Sequence, residues 1–388
     1  MVSAGESHTV LLRSDGSAVA CGTNKLGECD IPPLDDGMSY TQASAGRHHT
    51  VLLRSDGSAV ACGDNDNGQC NIPPLDEGMS YTQVSAGGFH SVLLRSDGSA
   101  VACGIHEQWI VPALDEGMSY TQVSAGDFHT VLLRSDGNAL ACAWNEDHGE
   151  CSIPPLDEGL LYTQVSAGDG HTVLLRSDGS AVACGLNHCG QCNIPSLSEG
   201  MSYTQVSAGG VHTVLLRSDG SVVGCGLNAS KQCNIPPLDK GMSYTQISAG
   251  GLHTVLVRSD GSAAACGLNK CGQCSIPSLK SWRELLTFAA ASRDYTSVSS
   301  TPLGKDYILQ LGVVFEEDTA MLTCWDLAGH EVLQFWTPGS DLASDTQKRI
   351  ASNLKVSPQS LRVVLPDGQL LASICRANPS ATIAGMVK

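Results

Sequence analysis

Short apolar runs separated by turn residues recur along the first part of the chain. In one representative unit, Tyr81–Ala86 alternates polar with small or apolar residues, Val92–Leu94 is a brief run of strand formers, and Ala100–Cys103 is a third apolar run. The Asp97-Gly98 pair separates the second and third runs, and its glycine tolerates the positive φ that a hairpin turn requires. The pattern predicts three antiparallel strands in each unit.

The unit occurs seven times. A histidine precedes the second apolar run of each copy, and successive histidines are 39–42 residues apart. They are His8, His49, His90, His129, His171, His212 and His253. A sustained period near 40 residues is typical of solenoids and propellers. One unit buries too little apolar surface to offset the conformational entropy that its chain loses on folding, so each unit needs neighbours on both faces of its sheet. We predict an all-β fold that closes into a seven-bladed β-propeller, with an open β-solenoid as the alternative.

The repeated phrases resemble a known family. Most units carry Ser-Ala-Gly-x-x-His, then Ser-Asp-Gly, then Cys-Gly-x-Asn-x-x-Gly-Gln, and these phrases resemble the repeat of the regulator of chromosome condensation family over residues 2–280. The resemblance implies a seven-bladed propeller whose histidines tie adjacent backbone together. The short period is similar to the three-stranded blades of a secreted β-lactamase inhibitor protein. This chain has Cys-Gly, as at Cys62, where the family usually has Trp-Gly, so we expect thinner packing between blades.

The repeated region lacks the leading stretch of its first copy and has an extra stretch after its seventh copy. The first copy lacks the Ile-Pro-Pro-Leu…Tyr-Thr-Gln stretch that precedes the other copies, whereas Ile276–Phe288 continues the register after the seventh. We therefore predict that Leu285–Ala290 pairs near Val2–Gly5 and closes the ring.

Beyond about residue 300 the repeat stops and another pattern begins. The predicted elements are the strands Ala320–Asp326 and Glu331–Trp336, a helix with Ala343, Ile350 and Leu354 on one face, and the strands Leu361–Leu365 and Gln369–Leu371. This β-β-α-β-β order resembles ubiquitin-like β-grasp domains. The predicted domains are a propeller at 1–290, a linker at 291–317 and a ubiquitin-like β-grasp domain at 318–388.

Composition narrows the classes of function. The formal net charge of −17 argues against nucleic-acid binding and is compatible with a basic protein partner. No run of 18 apolar residues is present, so we expect no membrane span. No secretory signal is visible, so we expect the 17 cysteines to be thiols in the cytoplasm or the nucleus. We expect a monomer without a cofactor.

The sequence carries few signs of catalysis or metal binding. We find no nucleophile elbow, P-loop, His-Glu-x-x-His or dinucleotide fingerprint, and we expect no enzyme activity. The densest set of possible zinc ligands is Cys184, His188, Cys189 and Cys192. Two of these cysteines only follow the repeat, and no second ligand pair stands at zinc-finger spacing, so we expect no metal site.

Two loops vary between units while the framework barely changes. One is the pair of residues before each histidine, and the other lies between the Asn and the second Cys. A rigid frame with variable loops can present a recognition surface, and drift at exposed positions is the alternative explanation. The candidate binding residues are Arg47, His48, Phe89, Trp109, Phe128 and Trp144 in these loops, and Val364 where ubiquitin-like domains carry an apolar patch. A separate set of loops should make one rim acidic through Asp35, Asp36, Asp76, Glu77, Asp115, Glu116, Asp157 and Glu158.

These observations favour a non-catalytic scaffold that binds proteins. Ubiquitin ligases of the HERC type carry similar propellers, so an adaptor role in ubiquitin signalling follows by analogy. One alternative is a guanine-nucleotide exchange factor for a small GTPase, which needs an inserted wedge that the regular period leaves no room for. A second alternative is a propeller-type enzyme inhibitor, which a secretion signal would favour.

Overall fold

Seven three-stranded antiparallel sheets, numbered here as blades 1 to 7 in chain order, form the first part of the protein. A computed structural model describes residues 1–105, 111–143 and 148–277 with side chains, and the backbone of four later strands. The inner strands are β1 (Val2–Ala4), β4 (Tyr40–Ala45), β7 (Tyr81–Ala86), β10 (Tyr120–Ala125), β13 (Tyr162–Ala167), β16 (Tyr203–Ala208) and β19 (Tyr244–Ala249). The middle strands are β2 (His8–Leu12), β5 (His49–Arg54), β8 (His90–Arg95), β11 (His129–Arg134), β14 (His171–Arg176), β17 (His212–Arg217) and β20 (His253–Arg258). The outer strands are β3 (Ala18–Gly22), β6 (Ala59–Gly63), β9 (Ala100–Gly104), β12 (Ala139–Ala143), β15 (Ala181–Gly185), β18 (Val222–Gly226) and β21 (Ala263–Gly267).

The three predicted strands per unit are confirmed, and so is the turn between the second and third. Gly98 adopts a φ of +82°, and its N–H donates to the carbonyl of Arg95 at 3.0 Å. The same Asp-Gly turn joins the middle and outer strands in the other six blades, because only glycine adopts this backbone conformation without strain.

Apolar side chains seal each boundary between blades. In a typical boundary, Val51 and Leu53 of blade 2 pack against Tyr81, Val84 and Leu93 of blade 3. The leucine at the Leu93 position is fully buried in all seven blades. Neighbouring blades thus supply the burial that a single unit lacks, as the sequence requires.

The seventh blade packs directly on the first. Val255 and Val257 of blade 7 contact Val2, Ala4 and Leu11 of blade 1 in the same manner as at the other boundaries. The sheets therefore close into a ring, which confirms the propeller over the open solenoid. The stretch Leu285–Ala290, predicted to close the ring, lies outside the described residues.

The Gln-x-Ser-Ala phrase of the inner strands satisfies backbone donors at the blade boundaries. Ala86 N–H donates to Oγ of Ser44 in the preceding blade at 2.9 Å, and Val84 N–H donates to Oε1 of Gln42 at 3.2 Å. The serine bond recurs at all seven boundaries, including the one from Ala4 N–H to Ser248. The inner strand is an edge strand, so its outward N–H groups need partners other than a neighbouring strand. The serine and glutamine side chains of the preceding blade are these partners, which explains why polar residues alternate with small ones.

A buried side chain in the outer loop differs among otherwise equivalent blades. Gln69 is fully buried, and its Oε1 accepts the N–H of Asn67 at 3.0 Å. Glu28 occupies this position in blade 1, where Oε2 accepts the N–H of Leu26 at 2.8 Å. The second carboxylate oxygen of Glu28 has no donor among the described residues. Blade 1 therefore buries a carboxylate where blade 2 buries a neutral amide.

We expect the substitution Glu28→Gln to raise the free energy of unfolding by about 1 kcal/mol, because a neutral amide costs less to bury than a carboxylate, even though its Nε2 would lack an acceptor among the described residues, as in Gln69 and Gln232. The reverse change at the equivalent residue of blade 6, Gln232→Glu, is the matched control and should lower stability by a similar amount. Urea unfolding at pH 7 measures both. Unchanged unfolding midpoints in both variants would contradict the assignment.

The chain divides into two compact units, Met1–Leu279 and Lys280–Lys388. In the second unit, one mixed sheet has the strand order β24-β23-β22-β25, in which β22 pairs parallel with β25 and the other pairs are antiparallel. Its strands are β22 (Tyr307–Glu316), β23 (Thr319–Trp325), β24 (Glu331–Pro338) and β25 (Leu361–Val364).

The second unit corrects one feature of the sequence prediction. β22 lies inside 291–317, which was predicted to be a linker, so three strands rather than two precede the predicted helix. Ile308–Phe315 is rich in strand formers, but it belongs to neither the repeat nor the β-β-α-β-β pattern and was not recognised as a strand from the sequence. The predicted helix and the predicted strand Gln369–Leu371 lie outside the described residues. Across the part of the chain that is described, no helix has the length and hydropathy to cross a membrane.

Candidate interaction face at the propeller axis

Seven backbone hydrogen bonds form a ring around the axis, at the end where the inner strands finish. In each blade, the residue after the Ser-Ala-Gly phrase donates its N–H to the glycine carbonyl of the next blade, as Arg47 does to Gly87 at 3.1 Å. The last bond runs from Gly251 to Gly5 at 3.0 Å and completes the circle. The ring holds seven variable residues side by side: Glu6, Arg47, Gly88, Asp127, Asp169, Gly210 and Gly251.

The glycine of the Ser-Ala-Gly phrase is required by its neighbours. A β-carbon at Gly46 would overlap the carbonyl oxygen of Gly87 and lie 2.8 Å from Cε1 of His49. The equivalent glycine of every blade meets the same two kinds of atom. The close approach of the seven turns to the axis therefore depends on the absence of a side chain at this position.

The seven histidines form a second ring just outside the first. Nε2 of His212 lies 2.9 Å from Oγ1 of Thr254 in the next blade, and the remaining six histidines make the same contact with a threonine or serine. The Thr254 hydroxyl donates its single proton to the carbonyl of Gln232 at 2.8 Å. The hydroxyl must therefore accept from the imidazole, which places the imidazole proton on Nε2.

Burial keeps these imidazoles neutral. Desolvation lowers the pKa of His8, His90 and His171 to about 3, from an ordinary value of 6.5. The same cause lowers the pKa of the other four histidines to about 4: His49, His129, His212 and His253. The histidines thus join blade to blade.

Three carboxylates of the first ring each lie over a glycine of an adjacent blade. A β-carbon at Gly210 would be 2.9 Å from Oδ2 of Asp169, and one at Gly251 would be 2.6 Å from Cδ of Glu6. The third pair is Asp127 over Gly88. The glycines at these variable positions make room for the acidic side chains of adjacent blades. Each acidic residue of the ring is therefore paired with a glycine that has no side chain to block it.

The charges of the first ring are only partly balanced. Arg47 Nη1 bonds Oδ2 of Asp127 at 2.8 Å, two blades away. The side chains of Glu6 and Asp169 have no hydrogen bond or ion pair with any residue among 1–105, 111–143 and 148–277. Desolvation, reinforced by the charges of Asp127 and Glu6 and opposed by that of Arg47, raises the pKa of Asp169 to about 8. Desolvation also raises the pKa of Asp127.

Two aromatic rings adjoin these charges. The guanidinium of Arg47 lies 5.4 Å from the centre of the Phe89 ring, within cation–π range. The rings of Phe89 and Phe128 are 5.7 Å apart between centres and tilted by 34°. Phe128 is 38 % exposed and is one of four exposed large hydrophobic residues in the described part of the chain. We call Glu6, Arg47, Phe89, Asp127, Phe128 and Asp169 the axial patch.

The two ends of the propeller axis differ. At the axial patch, the Ala-Gly segments of all seven blades enclose a cavity of only about 70 Å³. At the opposite end, glutamines and threonines such as Gln83, Thr121 and Gln164 line a cavity of about 700 Å³. The eight acidic residues predicted to form a rim, from Asp35 to Glu158, are all exposed in the loops that precede the inner strands, at this second end.

The sequence candidates divide into three groups. Phe89 contacts both Arg47 and Phe128, and His48 follows Arg47 in the same turn and acts electrostatically on Asp127. Trp109 and Trp144 lie outside the described residues. Val364 ends β25, where only the backbone is described. Glu6, Asp127 and Asp169 were recognised as variable but not as members of a site, because their proximity arises only when the ring closes.

The possible zinc ligands do not converge. Cys184 and Cys192 direct their thiols to the carbonyls of Glu150 and Leu186, at 3.6 and 3.2 Å, while His188 and Cys189 are exposed. Among the described residues, no three His, Cys, Asp or Glu side chains are arranged to hold a metal ion. Burial raises the pKa of the repeated thiols, for example that of Cys184 to about 12.

Comparison with solved structures supports the fold. Prp20p from Saccharomyces cerevisiae matches with a TM-score of 0.55 and 17% identity, over 64% of this chain and 80% of its own. The ectodomain of the receptor kinase CR4 from Physcomitrella patens matches with a TM-score of 0.56 and 16% identity, over 69% and 73%. The ectodomain of ACR4 from Arabidopsis thaliana matches with a TM-score of 0.53 and 20% identity, over 70% and 95%. At these identities the similarity is one of fold.

Comparison with sequence families is more specific. No curated protein matches the chain in sequence. The model of the regulator of chromosome condensation (RCC1) repeat matches seven times, once per blade, at residues 2–28, 40–69, 81–107, 120–148, 162–191, 203–232 and 244–273. These matches span more than half of the chain and coincide with the seven sheets. The chain therefore belongs to the regulator of chromosome condensation (RCC1) repeat family.

Proposed function

We propose that this protein is a non-catalytic scaffold that binds a protein partner through the axial patch. The observation that carries the proposal is the contrast between a framework repeated seven times and one cluster that is not repeated. Arg47, Phe89 and Phe128 interrupt the symmetry with a contiguous aromatic and charged surface. Exposed aromatic residues and arginines are enriched among the residues that dominate protein–protein binding.

The fold supports a binding role without defining the partner. The structure of Prp20p was described together with its binding to Gsp1p and histones, so a related propeller serves protein recognition in that case. In the present chain the rigid ring of hydrogen bonds would hold the axial patch in one arrangement before binding. A preorganised surface loses little conformational entropy when a partner docks.

We further propose that the second unit docks another protein, and that this chain is an adaptor in ubiquitin signalling by analogy with HERC-type ligases, which carry similar propellers. The support is the resemblance of its sequence to ubiquitin-like domains, together with a mixed sheet in which β22 and β25 run parallel. A binding assay of the full chain against ubiquitin-conjugating and ubiquitin-binding proteins tests this extension.

We expect the substitution Phe128→Ser to weaken capture of the partner from native lysate by about tenfold, because it removes an exposed aromatic anchor. The matched control is Leu161→Ser, which removes an apolar residue that is 48 % exposed at the opposite end. Serine stands at the equivalent position in five other blades, so this control should fold normally. Quantitative pull-down with the full chain measures both. Equal capture by wild type and Phe128→Ser would refute the proposal.

A further inference from the structure

We propose that the partner presents an arginine whose guanidinium docks beside Glu6 and Asp169, while a neighbouring apolar residue packs on Phe128. This inference rests on the proposed function and names the chemistry of the partner. It concerns Glu6 and Asp169, the two carboxylates of the axial patch that do not form an ion pair with Arg47.

The axial patch already holds one guanidinium. Arg47 bonds Asp127 at 2.8 Å and lies over the ring of Phe89 at 5.4 Å. A carboxylate at the edge of the guanidinium and an aromatic ring at its face are the two contacts that arginine makes best. The chain itself therefore shows which side chain this combination of groups accommodates.

Two further carboxylates of the first ring form no ion pair within the described part of the chain. Glu6 and Asp169 lie at the axial cavity with Arg47 and Asp127, and no basic side chain of the described residues pairs with either of them. The ring of Phe128 packs against that of Phe89, with 5.7 Å between ring centres, and is 38 % exposed. Three carboxylates against one guanidinium leave the axial patch with an excess of negative charge when all are ionised.

The size of the axial cavity and the charge of its lining limit the kind of ligand that fits. A cavity of about 70 Å³ admits the end of one side chain but not a folded element or a cofactor. Arginine suits this space better than lysine, because its planar group can donate to two carboxylates at once and is less strongly hydrated. A basic side chain also agrees with a chain whose formal net charge is −17.

The site should couple binding to the release of a proton. The pKa of Asp169 is raised to about 8 by desolvation and by the negative charges of Asp127 and Glu6, against the opposing charge of Arg47. The carboxyl is therefore largely protonated at pH 7, and a docked cation favours its ionised form. Affinity for a cation should rise by about tenfold between pH 7 and pH 9 and then level off.

Calorimetric titration of the full chain tests the inference with a terminally blocked Gly-Leu-Arg-Gly peptide and with the same peptide carrying neutral citrulline. We expect the arginine peptide to bind about tenfold more tightly than the citrulline peptide at pH 8.5. The variant Asp169→Asn should abolish both this preference and the rise in affinity with pH. The matched control Asp36→Asn, an exposed carboxylate at the opposite end, should change neither.

The outcomes separate this inference from the proposed function. If both peptides bind equally and Phe128→Ser weakens both, the axial patch binds proteins but does not select a cation. Failure of the arginine peptide to bind at millimolar concentration would overturn the inference, as would an equal loss in Asp36→Asn. The lysate capture by wild type and Phe128→Ser decides the proposed function independently.

Discussion

Acidification from pH 7 to pH 5 is expected to unfold the propeller cooperatively, with a net uptake of about five protons, because the histidine ring takes up about six and Asp169 releases one. The seven imidazoles have pKa values of about 3 to 4 when folded and would return to about 6.5 when unfolded. A lowered folded pKa means that the unfolded chain binds more protons below pH 6.5. The stabilising effect of the neutral rings is therefore complete above pH 6.5 and is lost as the pH falls toward 4.

The size of this effect follows from the number of groups that act together. At pH 5 nearly all seven histidines are protonated only when the chain is unfolded. Asp169, whose folded pKa is about 8, opposes them with one proton that is held only when the chain is folded. A net uptake of about five protons corresponds to a slope of about 7 kcal/mol per pH unit, which exceeds the effect of any single substitution.

Urea unfolding at half-unit steps from pH 7.5 to pH 4.5, together with the measured proton uptake on unfolding, tests this expectation. The variant His212→Gln keeps a donor near the Thr254 hydroxyl but removes one titrating group, so it should reduce the uptake at pH 5 by about one proton. An unfolding midpoint that stays constant between pH 6.5 and pH 5 would show that the rings are not held neutral.

The substitution Gly46→Ala is expected to lower the free energy of unfolding by about 3 kcal/mol. Its methyl group would meet the carbonyl of Gly87 on one side and the ring of His49 on the other. Neither neighbour can move freely, since Gly87 accepts the N–H of Arg47 and His49 bonds Ser91 of the next blade. One added carbon thus disturbs both rings at the boundary between blades 2 and 3.

A second glycine separates crowding from backbone strain. Gly37 has a φ of +82°, yet a β-carbon there would meet no atom within 4 Å. The control Gly37→Ala should therefore cost only about 1 kcal/mol, from the unfavourable backbone conformation alone. Thermal and urea unfolding of both variants measure the difference. Equal losses in the two would show that crowding at the axis is not what selects glycine in the Ser-Ala-Gly phrase.

The strands and the ring of seven blades were predictable because the repeat leaves a periodic signal, whereas the closing pair of Leu285–Ala290 with Val2–Gly5 stays a prediction. The three runs of each unit match the observed inner, middle and outer strands, and the Asp-Gly pair falls at the turn. The structural role of the histidines followed from family resemblance, and the structure shows how they act, through the bond between Nε2 and a hydroxyl of the next blade. These features repeat, so seven copies reinforce each prediction.

The axial patch was only partly predictable, because its contacts join residues that are far apart in the chain. Arg47 and Asp127 are separated by 80 residues and by a whole blade. Glu6 and Asp169 looked like members of a variable loop, and only the ring places them at one small cavity. Similarly, β22 was missed because it belongs to neither the repeat nor the β-β-α-β-β pattern, and its parallel partner β25 is distant in the chain.

The histidine ring has a consequence for how such proteins diversify. Each bond joins a side chain of one repeat to a hydroxyl of the next, and both partners occur in all seven repeats. Any repeat can therefore be exchanged for another or reordered without loss of the histidine bonds on either side. Recombination of modules would rearrange the residues around the axis while leaving the frame intact, so new recognition surfaces can arise in this lineage by shuffling as well as by point mutation.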